Sequence, residues 1–87
     1  MKYVEAKKAF GAKLKKYREE KSLTQKDVSK VLKFKTTQFV SNVERSVTLP
    51  PLPMLGKLIK LYKLNQEKVL KDYVNMVTLD FRERLTK

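Results

Sequence analysis

Between Thr37 and Arg45 the chain reads TQFVSNVER, and the side chains best suited to specific chemistry gather there. Wound as an α-helix at about 100° per residue, Phe39, Val40 and Val43 share an arc of about 100°. Thr37, Gln38, Ser41, Asn42 and Arg45 occupy a separate arc of about 140°, with Glu44 between the two. The polar arc carries amides, hydroxyls and one charge, Arg45, whereas Lys dominates the polar faces elsewhere. A carboxamide holds a donor and an acceptor in one plane, so Gln or Asn can engage adenine N6 and N7 together. Ser and Thr hydroxyls serve as either partner, and a Thr methyl can touch a thymine methyl. This is chemistry for base edges in a duplex groove. The arc taken alone also fits an ordinary solvated face. Phe39 and Val40 read as core rather than as the lining of a ligand pocket.

Other chemistries are poorly supplied. The 87 residues include no His and no Cys, which removes the commonest general base, the commonest metal ligand and any disulfide. The acidic residues are scattered, so no paired carboxylates suggest catalysis. We expect neither an enzyme nor a metal or other cofactor. No apolar run approaches a membrane span, and MKYVEAKKAF lacks the apolar stretch of a leader, so a cytoplasmic protein is expected.

Twenty-one Lys and Arg against nine Asp and Glu give a net charge of +12. The excess is concentrated at one end: residues 1–35 hold 12 basic and 4 acidic side chains, residues 65–87 hold 5 and 4. A basic end suits a polyanion and a balanced end suits protein, although Lys also simply keeps small proteins soluble.

The elements that must position the polar arc read as helices. Phe10, Leu14 and Tyr17 recur at helical spacing within residues 4–20. Thr24 followed by Asp27 suggests a capping box for a helix over 25–32, with Val28, Val31 and Leu32 as its apolar side. The arc-bearing helix spans about 37–44. A fourth begins near Pro51 or Leu52 and buries Leu55, Leu58, Ile59 and Tyr62. A fifth follows Asn65, a favourable N-cap, and extends towards the C-terminus. Alternation of Val77, Leu79 and Phe81 also fits a short strand there. The expected fold is an all-α, five-helix orthogonal bundle containing a helix-turn-helix, with residues 1–64 as its core and 65–87 closing it.

The stretch LTQKDVSKVLKFKTTQFVSNVERS resembles the helix-turn-helix of the lambda-repressor/Cro-like (XRE-type) family. The likeness continues through LKKYREEKSLTQ upstream and LPPLPMLGKLIKLYKLNQEKVL downstream, covering about Phe10–Leu70. It implies that Thr36 caps the recognition helix and that Thr37, Gln38, Ser41 and Asn42 read bases, Gln38 foremost. It implies a phosphate contact for Gln25, with Lys26, Lys35, Arg45 and Thr48 as further phosphate candidates. It also implies that Ser29 is the small residue where helices two and three meet. Arg18 and Glu44 match the family's internal ion pair. Three features depart from the pattern. Lys33 and Ser46 stand where Gly is usual, and the turn is one residue longer than in the shortest members.

Residues 66–87 carry two apolar lines, Leu70–Val74–Val77–Phe81 and Val69–Tyr73–Met76. One can cover the core and leave the other for a second copy, or both can sit on the core. Val69, Tyr73 and Met76 are the expected dimerisation residues. The expected partners are therefore double-stranded DNA and a second copy of the chain, with no membrane. An antitoxin-like or adaptor module that keeps the fold without reading DNA is the alternative.

Overall fold

Helix α1, Lys2–Glu20, and helix α5, Gln66–Leu85, run antiparallel along the molecule. The computed structural model describes residues 2–86. Three contacts trace the antiparallel pairing. The Tyr3 N–H donates to Glu83 Oε1 at 3.2 Å, the Phe10 and Tyr73 rings meet tilted with centroids 5.8 Å apart, and Lys13 pairs with Asp72 at 3.1 Å. Glu83 thereby satisfies one of the backbone donors that a helix start leaves free. Between these helices lie α2, Gln25–Val31, α3, Gln38–Glu44, and α4, Leu52–Tyr62. All five elements are helices, and no strand occurs among the described residues. Val77–Phe81 continues α5, because a backbone already bonded within a helix has no edge partner to recruit.

Local chemistry starts the helices as expected. Thr24 Oγ1 accepts the Asp27 N–H at 3.0 Å, and Asp27 Oδ2 accepts the Thr24 N–H at 2.8 Å. These bonds hold the Asp27 carboxyl below the usual range. Asn65 Oδ1 accepts the Lys68 N–H at 2.9 Å.

One device stops α1 to α4. Ser22, Lys33, Ser46 and Lys63 all adopt left-handed backbone, with φ between 55° and 64°. Each is followed by an apolar residue whose N–H reaches back five residues. Leu23 bonds Arg18 O, Phe34 bonds Ser29 O, Val47 bonds Asn42 O and Leu64 bonds Ile59 O. This is the Schellman closure, usually made with Gly. Here Ser or Lys fills the left-handed position, which is sterically costly for any residue with a Cβ. Lys33 and Ser46, the two departures noticed in the sequence, are thus left-handed as a family glycine would be.

The core draws on every helix. Phe10 and Leu14 meet Val28 and Leu32, Val40 and Val43, the four expected α4 residues, and Val69 and Met76 of α5. Two expectations fail. Val31 is exposed, because α2 turns its Val28–Leu32 edge inward. On α5 the buried line is Val69–Met76, with Tyr73 half-buried against Phe10. Val69 and Met76 are 5% and 1% exposed, so they are closed inside their own protomer rather than offered to another. The line left outside is Val74, Val77 and Phe81, with Val74 60% and Phe81 62% exposed.

Candidate nucleic-acid interface

The polar arc is carried on a helix held at its C-terminal end. Gly11 of α1 lies so close to α3 that a Cβ there would come within 2.7 Å of Glu44 O and 2.8 Å of Val43 O. Only glycine permits this approach. Ser46, just past α3, donates its hydroxyl to Lys7 O at 2.9 Å. Arg18 completes the clamp. Its Nε donates to Glu44 Oε2 at 2.7 Å and its Nη2 to Glu44 Oε1 at 3.1 Å. Nη1 donates to Leu23 O at 2.7 Å, tying the end of α1 to the same cluster. Both charges are buried, and the Glu44 hydrogen bonds push the Arg18 guanidinium above its ordinary value. Glu44 is therefore turned inward, as its resemblance to an internal ion-pair residue implied.

Gln25 joins this cluster. Its Nε2 donates to Glu44 Oε1 at 3.0 Å, which leaves the amide oxygen and one N–H unassigned. The first residue of α2 is thus oriented by the last residue of α3. Sequence reading offered Gln25 only as a phosphate contact and missed its link to Glu44.

At the other end of α3, Thr36 and Thr37 divide the cap. Thr37 O accepts the first helical bond, from the Ser41 N–H at 3.0 Å, and makes no side-chain cap. Thr36 Oγ1 accepts the Gln38 N–H at 3.3 Å. Gln38 is exposed, while Thr37, Ser41 and Asn42 are half-buried. Gln38, Ser41, Asn42 and Arg45 form one hydrogen-bonded patch. Gln38 Nε2 and Arg45 Nη2 both donate to Asn42 Oδ1, at 2.8 and 2.9 Å, and Arg45 Nε donates to Ser41 Oγ at 3.1 Å. Arg45, expected as a phosphate contact, is therefore joined to the very side chains expected to read bases. Lys26, Lys35 and Thr48 are all exposed. Val40 and Val43 enter the core, and Phe39 packs half-buried against it, with its ring 4.9 Å from that of Phe34.

A family model described as helix-turn-helix matches residues 14–65. The chain belongs to the lambda-repressor/Cro-like helix-turn-helix family. It is a member of a family of DNA-binding regulators. Neither a curated protein nor a solved structure matches the chain. The helix-turn-helix match takes in α2, α3 and α4 whole. It excludes Gly11 and all of α5. Gly11 was missed in the sequence, yet a signal existed. A glycine inside an otherwise helical pattern costs about 1 kcal/mol against Ala and so hints at a packing reason.

Proposed function

We propose that this chain is a transcriptional regulator that reads specific double-stranded DNA, with α3 in the major groove. The observation that carries the reading is the amide-and-hydroxyl patch Thr37, Gln38, Ser41 and Asn42 on a helix clamped to α1. A clamped helix presents base-reading groups without a further ordering cost. Lys26, Lys35 and Thr48, all exposed, are the proposed phosphate contacts, with the second N–H of Gln25 as a further one. The net charge of +12 supports steep salt dependence through counterion release.

The regulator acts as a two-fold dimer on paired half-sites. The support is the exposed apolar line Val74, Val77 and Phe81 on α5, a helix of nearly balanced charge. A contiguous apolar strip of this kind marks an interaction surface. The same strip suits the second reading, a protein-docking module that keeps the fold without reading DNA.

Selection of binding sites from a random duplex pool tests the proposal. The expected product is a palindromic motif whose half-site spacing matches a two-fold dimer. Gln38→Ala is expected to cost about 1–3 kcal/mol on the best site and to relax one position. Unchanged affinity and preference would remove Gln38 from the reading set. Failure to bind any duplex, even at low salt, would favour the docking module.

A further inference from the structure

The patch on α3 has a defined hydrogen-bond polarity, and Arg45 sets it. A guanidinium has donors and no acceptor. The Asn42 atom facing Arg45 Nη2 at 2.9 Å must therefore be the carbonyl oxygen. The Gln38 atom facing that same oxygen at 2.8 Å must in turn be the amide nitrogen. A carbonyl oxygen has two lone pairs, and here both are taken. Asn42 is left with its Nδ2 donors alone. Gln38 keeps its Oε1 acceptor and a second Nε2 hydrogen. Ser41 Oγ accepts from Arg45 Nε, so its own proton is free to be donated.

We propose that Arg45 is a positioning residue that makes Asn42 a reader of acceptor-bearing base edges. Guanine offers the Nδ2 donors two acceptors, O6 and N7, and thymine offers one, O4. Cytosine shows only its amino donor and gives Asn42 nothing to bond. Adenine offers one acceptor, N7, beside an amino group that Asn42 cannot accept from, so it allows one of the two contacts that guanine allows. Gln38 retains the donor–acceptor pair that suits adenine at the neighbouring position. This assignment rests on the proposed DNA reading and refines what that reading selects.

The test is site selection from a random duplex pool with four proteins: the unaltered chain, Asn42→Ala, Arg45→Met and Arg45→Lys. Asn42→Ala flattens one motif column and so locates the base that Asn42 reads. In the unaltered protein that column holds guanine over adenine by roughly tenfold, the discrimination of one good base contact. Arg45→Met frees one lone pair of Oδ1, which can then accept the adenine amino group. Adenine should rise to within about twofold of the preferred base. Arg45→Lys still donates to Oδ1 and keeps the original column. Two results overturn the assignment while leaving the DNA reading intact. One is adenine already dominant in the Asn42 column. The other is an Arg45→Met protein that binds all sequences more weakly with every column unmoved, which would make Arg45 a phosphate contact only. A pool that yields no motif from the unaltered chain overturns the DNA reading and this assignment together.

Discussion

Arg18 of α1 and Glu44 of α3 meet through two parallel hydrogen bonds of 2.7 and 3.1 Å, both partners buried. Removing one partner leaves a charge with no water and no counter-charge. Arg18→Ala is therefore expected to destabilise the fold by about 3–5 kcal/mol in chemical denaturation. The double replacement Arg18→Met with Glu44→Leu leaves no orphan charge and should lose markedly less. If the double variant were the weaker one, the cost would lie in packing rather than in the stranded charge.

The two glycines should respond in opposite directions. Gly11→Ala drives a methyl group into the backbone carbonyls of Val43 and Glu44, and a loss of about 1–3 kcal/mol is expected. A Cβ on Gly56 meets nothing within 4 Å. Gly56→Ala should gain about 0.5–1 kcal/mol from helix propensity alone. Thermal melts of the two variants side by side check both signs.

Lys33 and Lys63 sit in left-handed backbone at φ 62° and 55°. Replacing either with Gly removes the clash of Cβ with the carbonyl, partly offset by greater freedom in the unfolded chain. Each replacement is expected to add up to about 1 kcal/mol. That corresponds to a rise of up to roughly 4–8 °C in Tm for a domain of this size. A drop in Tm for Lys33→Gly would assign its side chain a contact worth more than the backbone relief.

Burial pushes the Tyr62 phenol up to about 12, with the nearby Glu44 charge adding to the rise. In the unfolded chain the phenol ionises near 10, so between the two values the unfolded state holds fewer protons than the folded one. Stability falls with pH across that window. The contribution is whole below pH 10 and is lost by about pH 12, a decline of roughly 2–3 kcal/mol. Urea melts of the parent and Tyr62→Phe should diverge between about pH 10 and 12. Parallel slopes would place the alkaline sensitivity elsewhere.

The exposed strip of α5 makes a prediction about assembly. Val74→Glu and Phe81→Glu change exposed positions, so the fold should survive. Sedimentation should then report monomers and weaker binding to paired half-sites. Met76→Ala, by contrast, should cost about 2–5 kcal/mol of stability as a core truncation. A parent chain that is already monomeric at micromolar concentration would count against the dimer.

Much of this molecule is legible without coordinates, because the deciding interactions are local. Helical periodicity located all five helices, and the caps at Thr24–Asp27 and Asn65 depend only on residues three apart. The left-handed stops were visible at Lys33 and Ser46 only through the family pattern. Their common form, a left-handed residue followed by Leu, Phe or Val, emerges from the backbone hydrogen bonds.

The resemblance to lambda-repressor/Cro-like domains supplied the Arg18–Glu44 pair, which no spacing rule would have joined across 26 residues. What only the tertiary structure decided depends on how distant surfaces meet. In sequence the Leu70–Val74–Val77–Phe81 line of α5 is the more apolar of the two, yet most of it lies outside. The approach of α1, through Phe10 and the antiparallel pairing, sends Val69 and Met76 inward and leaves Val74 and Phe81 outside. Gly11 hints at a close approach in the sequence, but only the fold shows that α3 is what arrives against it. On the polar arc of α3, the sequence by itself determined which groups are present: two amides, two hydroxyls and one guanidinium. Their hydrogen-bond directions were settled in three dimensions, because a guanidinium can only donate and its position beside Asn42 dictates what the other side chains have left to offer.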